Sequence, residues 1–530
     1  MRPTPRATRG AVTSPHHLAS EAGLSVLRDG GNAIEACIAA AATVAVVYPH
    51  MNSIGGDAFW LIGDRDGGVR GIDASGRGGR GVTREAYLEQ GLSQVPRRGP
   101  MSACTVAGTI SGWARALAVS ASWGGRLPLS RLLEDAIHYA RNGVPVADDL
   151  ARVTGTEDGD LLASPGFAEA FRRAGAGLAP GEVLFQKDLA NSLETLGRNG
   201  LDDFYTGELA AALADGFAKT GMPLTAEDLG AHSCVDTDPI SVETSAGTVY
   251  NLPPPTQGLA SVMILGLYDR MVADTGESFD HHHRLIEAVK RSFIVRNREI
   301  GDPDHLRNEP ATFLQSGYLD ELARDIDPAR AMPWTWPRND GDTIWLATMD
   351  GEGRGVSFIQ SLYFGFGSGV VVPGTGIVWQ NRGAGFSMDP DSVSAIGPGR
   401  KPFHTLNPAL ARLSDGRLMV YGTRGADAQP QVQAQIFTRH AIHGMPLQQA
   451  LDAPRWVQGR TQVHDDDFDL LVENRFDDAL VDRLRKAGHV VQMTDAFDPS
   501  TGHAGALTWA PSGVIEGASD PRSDGSVAAF

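Results

Sequence analysis

Near residue 340 the sequence changes its period. Upstream, residues 127–229 and 280–300 place apolar residues at helical spacing among acidic and alanine-rich segments, which predicts helices. Downstream, residues 343–349 and 355–362 read as two strands around the turn Asp350-Gly351-Glu352-Gly353. Strands at 409–413 and 417–422 follow, joined by Asp415-Gly416 as a tight hairpin. Between the two regimes, residues 306–340 carry Pro310, Pro328, Pro333 and Pro337 with Trp334 and Trp336, the composition of an exposed connection.

The remaining segments fit a layered chain. Residues 17–47 read as helix interrupted by the turn Gly30-Gly31-Asn32, and the alanine-rich second half predicts a buried helix. The turn cluster at 52–57 precedes strands at 58–62 and 69–72 with a glycine-rich hairpin between them, and helices are expected at 429–443 and 446–451. This order reads as an α+β or layered αββα fold. A length of 530 residues allows several cores or one large layered domain.

Charge and cysteine content narrow the function. With 46 basic against 64 acidic residues, the net charge of −18 opposes binding to nucleic acid and to anionic membrane surfaces. A small anionic substrate would have to be held by locally placed cations, so arginines in glycine-rich loops matter. Cys37, Cys104 and Cys234 are too few and too scattered for a disulfide framework or a cysteine zinc site. The polar start lacks the apolar core of a signal peptide, and the apolar run 37–47 is too short to span a bilayer, so a cytoplasmic location is expected.

Four motifs then occur in order along nearly the whole chain: Asp29-Gly30-Gly31-Asn32-Ala33-Ile34-Glu35-Ala36, Ile54-Gly55-Gly56, Val106-Ala107-Gly108-Thr109 and Gly517-Ala518-Ser519-Asp520-Pro521-Arg522. Together they resemble the γ-glutamyltransferase superfamily of N-terminal-nucleophile hydrolases. The resemblance implies a four-layer αββα sandwich. It also implies a precursor cut between Asp342 and Thr343, in Gly341-Asp342-Thr343-Ile344-Trp345. Residues 1–342 would form a large chain and 343–530 a small one. The two would pack as a heterodimer within one αββα domain, with a dimer of heterodimers as a further assembly. A threonine hydroxyl is a poor nucleophile until a base takes its proton, and a freed α-amine, titrating near roughly 7.7–8.0, is a base on the same residue. Ser361 falls where the family supports the nucleophile with a hydroxyl. Gly425 and Ala426, in Gly422-Thr423-Arg424-Gly425-Ala426-Asp427, fall at the oxyanion-hole pair, where a backbone donor needs glycine only if φ is positive.

The pattern departs from the transpeptidases at the substrate's head group. Ser75 stands where they carry the carboxylate-binding arginine, and Gly385 where they carry the acid that holds the α-amine. An ammonium buried there without a counter-charge would cost several kcal/mol. Instead, Gln380-Asn381-Arg382-Gly383 sets a guanidinium beside the expected acyl pocket, with Tyr363 near it and with His404 and Thr405 as further lining residues. With Gln429-Pro430-Gln431 and Tyr48-Pro49-His50-Met51-Asn52, this is most similar to the oxamate amidohydrolase branch, whose members split oxamate to oxalate and ammonia in cytoplasmic purine breakdown. Arginine's planar fork matches a carboxylate.

The expected substrate is therefore a small anionic amide, with no metal and no organic cofactor. One rival is a glutathione-type γ-glutamyl hydrolase or transferase, or a glutaryl- or cephalosporin-type acylase. A rival of another class is an unprocessed binding or scaffold protein. His281-His282-His283 lacks metal-ligand spacing and reads as a helix start, Asp465-Asp466-Asp467 reads as a solvated turn, and Asp57 reaches the pocket only by analogy.

Overall fold

The computed structural model describes residues 2–334, 341–459 and 470–530. Alternation along the central strands explains the architecture, because successive side chains of a strand point to opposite faces. In Asp342–Asp350, Ile344 and Leu346 join one hydrophobic cluster while Trp345, Ala347 and Met349 join another. Asp57–Gly63 splits the same way, with Ala58, Trp60 and Ile62 on one side and Phe59 and Leu61 on the other. Leu418–Thr423, in the opposing sheet, sends Leu418 and Val420 to the shared cluster and Met419 and Tyr421 to a third. Strands buried on both faces require cover on both faces.

That cover is two seven-stranded antiparallel sheets stacked between helical layers. The first runs 526–529, 10–14, 342–350, 355–363, 57–63, 69–74, 235–237 in space. The second runs 6–7, 515–519, 504–509, 418–423, 409–413, 247–251, 240–244. His17–Arg28, Ala33–Val47 and Thr109–Ser122 pack on the first sheet, and Gly258–Asp269, Phe279–Glu299 and Ala428–Phe437 on the second. Trp345 bridges the sheets: a Cβ on Gly422 would lie 2.3 Å from its ring, and one on Gly505 would lie 2.5 Å from it. Only glycine lets the two sheets close over that indole.

The expected αββα layering is what the chain adopts, with strand limits within a residue or two of those read from the pattern. Asn32 caps the buried alanine-rich helix by accepting from Ile34 and Glu35 N–H, and Glu35 returns a carboxylate to the Asn32 N–H, a capping box. One helix limit needs correction. The helix expected over 429–443 stops at Phe437 and continues as a π-helical turn, Thr438–Ile442. The helix read over 280–300 spans Phe279–Glu299, and Ser278 caps it by accepting from His281 N–H. No helix among the described residues is long and apolar enough to cross a membrane. Trp336, Pro337 and Asp465-Asp466-Asp467 lie outside the described residues.

Candidate active site

Register creates the centre of the site. Asp342 pairs with Tyr363 but Ile344 pairs with Gln360, so the strand Gly355–Tyr363 carries an additional residue at this end. This bulge bends the strand end and redirects its side chains. It sets Ser361 beside Thr343: Thr343 Oγ1 donates to Ser361 Oγ at 3.1 Å, and Ser361 Oγ donates to the Asp342 carbonyl at 2.6 Å. The Tyr363 N–H completes the serine's shell at 2.8 Å. Thr343 and Ser361 are both buried. One hydroxyl thus accepts a hydrogen bond from the threonine and donates one to the carbonyl preceding that threonine.

Gly425 and Ala426 lie across from this strand end. The chain entering Thr343 passes between Tyr363 and Ala426, since a Cβ on Gly341 would stand 3.2 Å from the tyrosine ring and 3.4 Å from Ala426 Cβ. φ is +112° at Gly425 and +46° at Ala426. The condition under which a side chain is costly here is therefore met, and the left-handed alanine costs about 1–2 kcal/mol. The carbonyls of this turn accept from Ala428 N–H, Gln429 N–H and Gln257 Nε2, whereas the Gly425 and Ala426 N–H groups donate to no described residue.

A bracket absent from the sequence reading holds the turn. Gln257 Nε2 bridges Thr405 O at 2.6 Å and Ala426 O at 2.7 Å, and its Oε1 accepts from Arg296 at 2.9 Å. Arg296 in turn grips Asp427 with two hydrogen bonds of 2.7 and 3.0 Å, both partners buried. Gln257 follows a run of prolines, and nothing in that local pattern points 169 residues onward to Ala426.

Arg382 forms the other wall. It is fully buried, lies 4.0 Å above the Tyr363 ring, and reaches Thr405 Oγ1 through Nη1 at 3.4 Å. Its Nε and Nη2, the two donors on one edge of the guanidinium, have no hydrogen-bond partner among the described residues. Asp57 stands near enough for its charge to act on the guanidinium. Its Oδ1 accepts from Gly76 N–H, Gly108 N–H and Gln380 Nε2, which draws three of the glycine-rich segments together. Its Oδ2 faces His404 Nε2 at 3.4 Å without a hydrogen bond. Burial pushes the Asp57 carboxyl up to about 6, against the pull of Arg382. Burial also lowers Arg382 to about 10, and burial with Arg382 and Lys401 holds His404 well below the ordinary imidazole range, so that ring is neutral.

Thr343, Ser361, Tyr363, Arg382, Thr405 and Ala426 therefore fall in one chain of contacts, with Gly425 beside Ala426, and Asp57 stands directly against His404. The head-group departures also have structural counterparts. The Ser75 hydroxyl is turned back onto Asp73 at 2.5 Å, and Asp73 pairs with Lys401. A Cβ on Gly385 would stand 3.0 Å from Phe403 O.

The histidines need a further correction. Glu277, His281 and His282 bring ligand atoms within 4.8 Å of one another, as do His283, Glu287 and His489, so spacing along the chain concealed two clusters. Their hydrogen bonds oppose a cation. Trp456 Nε1–H donates to His282 Nδ1, which leaves the proton of the neutral ring on Nε2, the nitrogen facing Glu277, and Arg439 already holds both Glu277 oxygens. In the second cluster the Lys290 ammonium stands 3.1 Å from Glu287 and 3.4 Å from His489.

Two facing antiparallel sheets between helical layers, with a buried threonine near the head of a central strand, define the N-terminal-nucleophile hydrolase class. The chain belongs to the gamma-glutamyltranspeptidase family, whose model matches residues 19–530, and it is a hydrolase. It is 49% identical to an oxamate amidohydrolase proenzyme of Klebsiella pneumoniae, covering 99% of each chain. It is 39% identical to a glutathione hydrolase-like proenzyme of Bacillus subtilis, covering 98% of each. The crystal structure of cephalosporin acylase from Bacillus halodurans superimposes with a TM-score of 0.90 at 34% identity, covering 100% of this chain and 97% of that one.

Proposed function

We propose that Thr343 is the nucleophile of a self-cleaving amidohydrolase that acts on the amide of a small carboxylic acid, with oxamate as the substrate. The observation that carries the substrate class is the open Nε/Nη2 edge of the buried Arg382, stacked on Tyr363 two contacts from Thr343. A carboxylate fits that edge with two parallel hydrogen bonds. The Klebsiella relative's name agrees with this chemistry. Ser75 and Gly385 remove both charged anchors of a γ-glutamyl head group, which disfavours the glutathione-type alternative.

In self-cleavage, Thr343 Oγ attacks the Asp342 carbonyl carbon. The C–N bond breaks, the hydroxyl proton passes to the departing Thr343 amine, and water hydrolyses the resulting ester. Strands of both sheets come from either side of position 342, so the two pieces would stay interleaved as a heterodimer. In turnover the freed amine takes the Thr343 hydroxyl proton, Oγ attacks the amide, and the N–H groups of Gly425 and Ala426 receive the oxyanion. Ammonia leaves with a proton, and water releases the dicarboxylate from the ester.

Intact mass before and after incubation with oxamate, with ammonia release followed alongside, tests the reading. Two fragments meeting at Asp342/Thr343 together with ammonia are expected; two fragments without ammonia would move the substrate to glutaryl or γ-glutamyl amides. Ser361→Ala removes the donor to the Asp342 carbonyl and should slow self-cleavage about 10²–10³-fold. A time course of the uncut mass measures this, and an unchanged rate would remove Ser361 from the step.

The Asp57 charge acts on Arg382 without a hydrogen bond to it, so a substrate carboxylate on the open guanidinium edge also meets the repulsion of Asp57. Because the Asp57 carboxyl is raised to about 6, protonation on the acid side removes that repulsion. KM for a carboxylate amide should therefore fall as pH is lowered toward 6, by up to about tenfold per unit. The same raised value favours the folded state in acid, and that contribution is lost as pH rises through about 6. Initial rates across this range decide the matter, and a KM that climbs on acidification would contradict it.

A further inference from the structure

We infer that Arg424 is a positioning residue for self-cleavage, acting by holding the side chain of Asp342. The inference rests on the reading of Thr343 above. Arg424 Nη1 meets Asp342 Oδ1 at 2.7 Å, and Arg424 is buried. The guanidinium is itself fixed from behind: Nη2 donates to Pro499 O at 2.9 Å and stands 3.3 Å from His503 Nε2. Burial and Arg424 keep His503 well below the ordinary imidazole range, so it stays neutral and adds no competing charge.

The other carboxylate oxygen also has a prepared place. A Cβ on Gly365 would come within 2.9 Å of Asp342 Oδ2, and Arg98, which donates to Gly365 O and Gly367 O, stands near enough for its charge to act on Asp342. Arg152 adds a third positive charge to this surrounding, although it pairs with Asp149.

The geometric consequence concerns the scissile carbon. Its oxygen is held by Ser361 and its side chain by Arg424, so the carbonyl cannot rotate away from Thr343 without breaking one or the other. Arg424 directly precedes Gly425, which ties the residue being cut to the turn that would receive the oxyanion. Orientation of this kind is worth large rate factors, since a misplacement of about 1 Å can cost about 100-fold. Arg424 exchanges no proton in the step. Cleavage then converts Asp342 into a free chain end carrying two carboxylates, which relieves the clamp of its constraint on Thr343.

The test is a set of cleavage time courses, read by intact mass, for Arg424→Gln, Arg424→Lys, Asp342→Asn and the double variant R424Q/D342N. Each neutralising substitution should slow cleavage about 10–100-fold, and lysine should restore most of the rate. The double variant should be no slower than the slower single one, because both remove the same contact. Asp342→Asn alters a partly exposed side chain and keeps the test open if Arg424→Gln folds poorly. Multiplying effects, or an Arg424→Gln chain that cuts at the wild-type rate beside a normally cut wild type, would overturn the clamp alone. A wild-type chain that never cuts at Asp342/Thr343 would remove the reading of Thr343 and the clamp with it.

Discussion

Alanine at position 343 should leave the 56.3 kDa chain in one piece and abolish amide turnover, with a loss on the order of 10⁴–10⁶-fold. The reason is chemical: the substitution removes the only atom placed to donate to Ser361 Oγ from the residue following the scissile carbonyl. The protein should still fold, because Thr343 contributes a small side chain to a strand whose core contacts come from Ile344, Trp345 and Leu346. Intact mass, ammonia release and a thermal unfolding curve on the same sample separate lost chemistry from lost structure. A Thr343→Ala chain that still appears as two fragments would place the nucleophile elsewhere.

Arg382→Ala should spare self-cleavage and strike turnover. Removing one side of a buried charge contact costs about 3–5 kcal/mol, which corresponds to a fall in kcat/KM on small carboxylate amides of about 10²–10⁴-fold. Lysine should not rescue it, because a point charge cannot reproduce the parallel Nε and Nη2 donors. An acylase with a large apolar pocket would barely respond, so the ratio of activities on oxamate and on an uncharged amide before and after the substitution discriminates between the readings. Equal losses on both would mean that Arg382 supports the pocket rather than the carboxylate.

Much of the fold was legible in the sequence because burial imposes a period on each element. The strands at 342–350, 355–363 and 409–413 each alternate between two apolar surroundings, and the Asp415-Gly416 turn was readable from its composition, since glycine admits the positive φ, +88°, that Gly416 takes. The candidate nucleophile, the hydroxyl beside it and Arg382 were legible for a different reason, since they sit in motifs of recognisable composition. Their contacts were not. The bulge that sets Ser361 against Thr343 depends on a register offset between two strands, and a register is a property of the pair rather than of either segment.

The same holds for the supports of the site. Gln257, Arg296 and Asp427 converge from separate elements, and Asp57 ties Gly76, Gly108 and Gln380 to one carboxylate oxygen. The two histidine clusters show this in reverse: spacing alone dismissed them, packing brought their nitrogens together, and hydrogen bonds from Trp456 and Lys290 decided against a cation. Local periodicity and turn chemistry act over a few residues, so they settled the elements, while the layering and the residue types available for catalysis came from the motifs that carry the family resemblance. Which polar atoms end up buried without a partner among the described residues, as on the open edge of Arg382, depends on distances across the whole fold, and only the tertiary structure decided that.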